Sequence, residues 1–257
     1  MTWDIYWIVV AGFLGLIFGS FATVVAYRLP RNESIVTGRS HCPSCGKQIA
    51  WYENIPLFSY LSLRGKCRHC GARISPRYPA IELACGVAFA ALVWRFGMSF
   101  EVAIYAAFFW TLIVLTAIDL EHKLLPNKIV FPAFVVGWLL LVVAATIDGD
   151  LTPLLEAALG AAVFGGFLFT VAFIAPAGMG FGDVKLAFVL GTFLGYAGGL
   201  GYTLTGMFLS FMLGGFTGIA ILLRGGNRKM EVPFGPFLAG GSMLAIFTAE
   251  SLLDWYL

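Results

Sequence analysis

Long apolar runs constrain the fold of this sequence more than any other feature. A helix crosses the hydrocarbon core of a bilayer with about 20 apolar residues, and residues 7–27 form a run of this kind. Similar runs follow at residues 80–96, 102–118, 129–147, 154–175, 184–200, 202–223 and 236–253. Because 60% of the residues are hydrophobic and 12% are charged, the composition is not that of a soluble domain. The runs lack the alternation of barrel strands, so we predict an all-α polytopic membrane protein with about eight transmembrane helices.

The positive charges predict the orientation of these helices. With eight spans, all of the 16 Lys and Arg residues except Arg95 fall on one side of the membrane. Cytoplasmic loops are enriched in these residues, so this side is predicted to be cytoplasmic and both termini to lie outside. The same charges could also attract anionic lipid or a charged substrate.

One long polar segment, residues 29–79, interrupts the apolar pattern. It contains two C-x2-C pairs, Cys42 with Cys45 and Cys67 with Cys70. Two such pairs supply four thiolates, which is the ligand set of a structural zinc site. We therefore divide the chain into a first transmembrane helix (1–28), a cytoplasmic zinc-binding loop domain (29–79) and a transmembrane domain (80–257).

Disulfides and a redox motif are the alternatives for these cysteines. A cytoplasmic loop is in a reducing compartment, which disfavours disulfides, and a thioredoxin-type motif requires a βαβ setting that is not apparent here. Four thiolates leave no open position on Zn²⁺, so the ion is expected to fold the loop rather than to catalyse. Cys85, inside the second span, is interpreted as a small core residue.

Two aspartates lie at the predicted cytoplasmic ends of membrane spans. Asp119 follows the third span, and Asp183 precedes the sixth span among the glycines Gly178, Gly180 and Gly182. A carboxylate beside an apolar segment is unfavourable unless it has a partner or a function. Since the topology puts both aspartates at one depth on one side, we interpret them as a candidate catalytic pair.

Two carboxyl groups that share a site do not both ionise easily, so an acid and a base coexist near neutral pH. Such a pair can activate water and protonate a leaving amine. Glycines beside Asp183 would let a substrate backbone approach closely. The alternative remains that Asp183 only caps its helix and that Asp119 is an ordinary charge at a helix end.

Five segments together resemble the bacterial type IV prepilin peptidases, which are GxGD aspartic membrane proteases. GSFATVVAYRLPR resembles the first-helix signature of this family, and CPSCGKQIAWYENIPLFSYLSLRGKCRHCGARISPRYPAIE resembles its cysteine loop. AIDLEHKLLPN and GMGFGDVKL resemble its two aspartate motifs, and PFGPFLAGG its C-terminal motif. Many relatives have Asp after the Leu-Pro of the first motif, where this chain has Asn127. Because that position is not one of the pair, activity is still expected.

The resemblance implies a protein of the bacterial inner membrane, with catalysis by Asp119 and Asp183. The substrates would be prepilins or pseudopilins with a short basic leader, cut after a glycine at the cytoplasmic face. The new N-terminal amine would be methylated from S-adenosylmethionine. No glycine-rich cofactor motif is evident, so the cysteine loop and its flanks are the expected location, with Gly65, Lys66 and Glu82 as candidate cofactor-binding residues. The partners expected are the pilin substrates and the lipid bilayer, and no nucleic acid.

Other functions remain open on the sequence. A peptidase without methyl transfer, or one for other membrane-protein signal peptides, would keep the same pair of aspartates. A transporter would also carry membrane carboxylates, but an inverted repeat is not evident. A scaffold with a zinc-stabilised loop would leave the paired aspartates unexplained.

Overall fold

The computed structural model describes residues 2–175, 179–225 and 232–256. Gly178, Arg228 and Lys229 lie outside these residues. The described chain contains eight α-helices and no β-strand, which confirms the predicted all-α class. The helices are α1 (Thr2–Arg28), α2 (Phe58–Ser62), α3 (Arg77–Phe96), α4 (Phe100–His122), α5 (Asn127–Asp148), α6 (Thr152–Ile174), α7 (Phe181–Leu223) and α8 (Gly235–Tyr256).

Seven of the described helices are long and apolar enough to cross a membrane, in agreement with a multi-pass protein. The helices extend past the predicted apolar limits, so Asp119 lies in the last turn of α4 and Asp183 in the first turn of α7. The reason is that backbone hydrogen bonding continues into polar residues at the membrane surface, where apolar content no longer marks the helix. Gly97, with a φ of 73°, separates α3 from α4.

The longest helix, α7, contains two of the predicted spans in its 43 residues. Gly198 and Gly199 depart from helical geometry, and Gly199 has φ 66° and ψ −154°, a conformation that favours glycine. Leu194 and Gly206 would be about 18 Å apart along a straight helix. A Cβ on Gly206 would instead lie 2.5 Å from Leu194 Cδ1. The helix therefore folds back into a first arm (181–197) and a second arm (200–223), which accounts for the eighth predicted span.

The chain forms two compact units, Met1–Ile118 and Asp119–Leu257. This boundary reflects packing and does not coincide with the three parts proposed from the sequence, whose division stays a prediction. In the first unit, α1 and α3 pack with their backbones in close contact. A Cβ on Gly15 would lie 2.4 Å from the Cys85 carbonyl oxygen, and one on Gly19 would lie 2.6 Å from Glu82 Cα. Cys85 is fully buried at this contact, as expected of a small core residue.

In the second unit, α6 packs against the first arm of α7 through glycines on both helices. A Cβ on Gly160 would lie 2.3 Å from the carbonyl oxygen of Gly191, and a Cβ on Gly191 would lie 2.2 Å from the carbonyl oxygen of Gly160. Small residues allow helix backbones to approach closely inside a membrane, where van der Waals packing drives association. This contact fixes the start of α7, and with it Asp183, against the rest of the unit.

Candidate functional site

Asp119 and Asp183 are buried although both carry ionisable side chains. Asp119 retains 5% of its accessible surface and Asp183 retains 9%. The run that precedes Asp119 is itself buried, including Leu115 and Ile118, so the α4 register directs the carboxylate into the protein. Asp183 is at the third position of α7, where the peptide dipoles of the helix favour a negative charge.

The two aspartates line one cavity of about 260 Å³ in the second unit. The cavity is also lined by the segment that joins α4 to α5 and by the start of α7: Lys123, Leu124, Leu125, Asn127, Gly180, Gly182 and Lys185. The sequence separates the two aspartates by 64 positions, and the fold brings them to one cavity. Gly178, the third predicted glycine, lies outside the described residues.

Two glycines that line the cavity have little free space beside them. A Cβ on Gly180 would lie 3.3 Å from Asp183 Oδ2, and a Cβ on Gly182 would lie 3.1 Å from Leu125 Cβ. Neither has a positive φ, so the requirement is for space rather than for an unusual backbone conformation. Larger residues here would fill part of the cavity between α7 and the 123–127 segment.

A backbone group that sequence reasoning missed contacts Asp119. The N–H of Gly235, the first residue of α8, donates a hydrogen bond to Asp119 Oδ2 over 3.1 Å. In the sequence, only the segment PFGPFLAGG hints at this contact. A glycine flanked by two prolines suggests a constrained backbone at this position. No pattern of residue types identifies the atom that such a backbone N–H binds.

Lys185 lies at the rim of the same cavity. Its Nζ donates to Asn127 Oδ1 over 3.0 Å and lies 5.4 Å and 5.5 Å from the ring centres of Phe131 and Phe181. These partners are neutral, so the aromatic rings and the amide hold the ammonium group in place without cancelling its charge. Asn127, which stands where many relatives are expected to have Asp, therefore accepts a hydrogen bond from Lys185 of the second aspartate motif.

The four cysteines of the polar segment come together in the first unit. Their Sγ atoms all lie within 4.8 Å of one another, and Cys42 Sγ is 3.9 Å from Cys70 Sγ. Tetrahedral zinc with Zn–S bonds of about 2.3 Å separates its sulfur ligands by about 3.8 Å. The cluster therefore has the donor set and the spacing of a zinc site.

Each cysteine pair lies in a turn with the same hydrogen-bond pattern. Cys42 N–H donates to the Lys47 carbonyl and Gly46 N–H to the Cys42 carbonyl, and the second turn repeats both bonds 25 positions later. Gly46 and Gly71 follow the second cysteine of each pair with φ values of 69° and 71°. Backbone N–H groups, first that of Cys45, lower the pKa of the Cys42 thiol to about 6. The Cys70 thiol, despite the Ala72 N–H, has its pKa raised to about 11 by desolvation and by the other three thiols. A stabilised thiolate is the form that binds a metal ion.

A second cavity, of about 340 Å³, lies in the first unit. It is lined by the end of α1, the two cysteine turns, α2 and the start of α3, with tyrosines on several sides: Tyr27, Tyr60 and Tyr78. Two carboxylates also line it. Glu53 pairs with Arg68 over 2.7 Å, whereas Glu82 accepts a hydrogen bond from the Leu57 N–H over 2.8 Å and has no cationic partner among the described residues.

The three candidate cofactor-binding residues have different positions relative to this cavity. Glu82 lines it, while Gly65 and Lys66 belong to the second cysteine turn and are not among its described lining residues. The Gly65 carbonyl accepts from the Ile74 N–H, and Lys66 forms a β-bridge with Arg73. Gly65 packs against Tyr60, which does line the cavity, because a Cβ there would be 3.0 Å from the Tyr60 hydroxyl.

Comparison with known proteins assigns a family to both parts of the chain. The family model described as "Bacterial Peptidase A24 N-terminal domain" matches residues 13–96. The family model described as "Type IV leader peptidase family" matches residues 106–222. The first match includes the four-cysteine cluster, and the second includes both aspartates. No solved structure matches the chain.

Curated relatives match the chain over nearly its full length. A prepilin leader peptidase/N-methyltransferase of Xanthomonas campestris is 37% identical over 95% of this chain and 92% of the relative. Proteins of the same name from Bacillus subtilis and Pseudomonas putida are 36% and 35% identical, over 95% and 96% of this chain and 95% and 92% of the relatives. With this identity and coverage, the chain belongs to the type IV leader peptidase family.

Proposed function

We propose that this enzyme is an aspartic endopeptidase that removes the leader of type IV prepilins or pseudopilins and then methylates the new N-terminal amine. Membership of a peptidase family, and relatives named prepilin leader peptidase/N-methyltransferase, support the two activities. The observation that carries the peptidase assignment is one cavity lined by two buried aspartates. Such a pair provides the acid and the base that hydrolysis of a peptide bond requires.

In the proposed reaction, one aspartate is ionised and removes a proton from a water molecule, and the oxygen of that water attacks the carbonyl carbon of the scissile peptide bond. The other aspartate is protonated, and it donates its proton to the leaving nitrogen as the C–N bond breaks. The products are the leader with a free carboxyl terminus and a pilin with a free amine. Lys185, which lines the same cavity, would add positive charge to the space in which the oxyanion develops.

An assay with the purified full chain in detergent tests both activities together. We expect a prepilin whose leader ends in glycine to be cut after that glycine, and the shortened pilin to acquire label from methyl-labelled S-adenosylmethionine. Mass spectrometry of the pilin N-terminus gives the cleavage position and the added methyl mass. Cleavage without label would leave a peptidase only, and intact prepilin would overturn the proposal in favour of a non-proteolytic function such as transport.

The cavity of the first unit is the proposed binding site for S-adenosylmethionine. This cofactor supplies a methyl group on a positively charged sulfonium, and it also carries an ammonium group. A carboxylate without a cationic partner, Glu82, attracts such charges, and the side chains of Tyr60 and Tyr78 add aromatic surface to the lining. The volume of about 340 Å³ falls in the range of small-molecule sites, about 300–1,000 Å³. Lys66 and Gly65 would act here through the cysteine turn that supports the cavity wall.

The four-thiolate cluster is proposed to bind one structural Zn²⁺. The two cysteine turns have few buried apolar residues, so the ion would supply much of the free energy that orders them. Because residues of both turns also line the cavity, loss of the ion would be expected to disturb the cofactor site as well.

We expect elemental analysis of the purified protein to give one zinc per chain, and Cys42→Ala or Cys67→Ala to remove most of it. Limited proteolysis of these variants should cut within residues 29–79 faster than in the wild type. Cys85→Ala is the matched control, because Cys85 is buried between α1 and α3 and should leave the metal content unchanged. Wild-type protein without metal, or full zinc in both cluster variants, would contradict the assignment.

The orientation of the chain stays a prediction that rests on the distribution of Lys and Arg. It places the cysteine cluster and both aspartates at the cytoplasmic face and both termini outside. This is the side on which a pilin leader that has not crossed the membrane would be reached.

A further inference from the structure

The first residue of α8 contacts the Asp119 carboxyl group. Neither of the two aspartate motifs in the sequence includes a residue of this helix. The carbonyl of Phe234 accepts the first backbone hydrogen bonds of the helix, from Phe237 and Leu238. Gly235 is therefore the first helical residue, whose N–H has no partner within a helix. Pro236, which follows, has no N–H to offer. Among the described residues at this end of α8, Gly235 is therefore the one whose N–H is not bonded within the helix, and it donates to Asp119 Oδ2 over 3.1 Å.

The same contact explains why the first residue of α8 is a glycine. A Cβ at this position would lie 2.6 Å from Asp119 Oδ2, 3.2 Å from Asp119 Cγ and 3.3 Å from Leu125 Cδ2. Real Cβ atoms do not approach other atoms to 2.6 Å, so any larger residue has to displace the carboxylate or the helix. Gly235 has no positive φ, so the requirement again comes from space.

We propose that Gly235 is a positioning residue, whose N–H fixes Asp119 Oδ2 and leaves Oδ1 as the oxygen that exchanges protons with water and substrate. The catalytic part of this inference rests on the proposed peptidase function. The carboxyl oxygen that accepts a hydrogen bond from an N–H stays an acceptor whether the group is ionised or protonated. The proton therefore binds to and leaves from the other oxygen. The peptide dipoles at the start of α8 also favour negative charge at this position.

The consequence for the reaction is geometric. A carboxylate that turns freely about its Cβ–Cγ bond presents either oxygen, and catalysis requires one of them to be aimed at the attacking water. A misplacement of about 1 Å at a reacting group can lower the rate about 10²-fold. A backbone donor on a membrane helix is more rigid than a side-chain donor, because it moves only with the helix.

Gly235→Ala tests this proposal kinetically. We expect kcat for prepilin cleavage to fall about 10²-fold or more, with KM for the prepilin little changed, because Oδ2 already accepts from the Gly235 N–H and is not free to bind the leader. Methyl transfer to a pilin that has already been cleaved should continue at the wild-type rate. Gly240→Ala is the matched control in the same helix, since a Cβ there would meet only Leu213 Cδ1, at an ordinary 3.6 Å. Wild-type kcat in Gly235→Ala would overturn the proposal.

A thermodynamic cycle tests the contact independently of any activity. Gly235→Ala should lower Tm in detergent clearly more in the wild-type background than in an Asp119→Ala background, where the clashing oxygen is absent and only the 3.3 Å contact with Leu125 remains. Equal losses of Tm in both backgrounds would show that the glycine serves general packing, and this would overturn the inference even if the enzyme is a peptidase. If Gly235→Ala alone does not fold, recovery of folded protein in the double variant supports the contact, and failure of both variants to fold refutes it.

If the wild type cleaves no prepilin, the proposed function fails while the cycle still reports on the Gly235–Asp119 contact. The kinetic and thermodynamic results therefore separate an error in the function from an error in the role of Gly235.

Discussion

Asp119→Asn and Asp183→Asn are each expected to abolish prepilin cleavage, with losses of about 10³-fold or more, while expression and membrane insertion stay normal. Asparagine keeps the size and an acceptor oxygen of aspartate but neither takes nor gives a proton near neutral pH. General acid–base catalysis contributes about 10²–10⁴-fold for a single group, and groups that act as one unit lose most of their effect when either is removed. Leader release by the purified variants, measured over hours, gives the residual rate.

Glu121→Gln is the matched control for these variants. Glu121 is on the same helix two residues after Asp119, but it is exposed and does not line the cavity among the described residues. We expect this neutral variant to cleave at close to the wild-type rate, which separates loss of a particular carboxylate from loss of negative charge at the end of α4. Near-normal turnover by a folded Asp119→Asn or Asp183→Asn protein would remove that residue from the catalytic pair.

Methyl transfer is expected to respond to a different carboxylate. Glu82→Gln should raise the KM for S-adenosylmethionine about 10-fold to 100-fold, because a hydrogen bond or ion pair to a charged group contributes about 1.5–3 kcal/mol. Glutamine retains the oxygen that accepts from the Leu57 N–H, so the local fold is preserved and only the charge is lost. Prepilin cleavage by Glu82→Gln should be unchanged.

The reciprocal result is expected from Asp183→Asn. Methyl transfer requires an unprotonated amine and a bound cofactor but no activated water, so this variant should methylate a pilin that was supplied already cleaved. Label transfer to pre-cleaved pilin measures both variants, with Glu33→Gln, an exposed change outside the cavity lining, as the control for charge. If folded Asp183→Asn protein transfers no label, the two reactions share catalytic groups; wild-type methylation by Glu82→Gln would exclude the cavity of the first unit as the cofactor site.

The predicted spans correspond closely to the helices because bilayer thickness imposes a length on any apolar helix. Even the division between the sixth and seventh predicted spans, at residue 201, lies within three residues of the fold-back at Gly198 and Gly199. The helix ends were less accurate. Asp119 and Asp183 lie inside α4 and α7, because hydrogen bonding carries a helix past the point where apolar residues stop.

The sequence by itself determined the membrane class, the four-cysteine cluster and the two aspartate motifs, since each depends on residue types at short spacing. Only the tertiary structure decided which distant groups surround them. The cavity beside the cysteine turns combines Tyr27, Tyr60 and Glu82 from three separate helices. The donor to Asp119 is a backbone N–H that lies 116 positions away. Every residue except proline has that N–H, so its partner is set by how helices pack and not by the residue type in the chain.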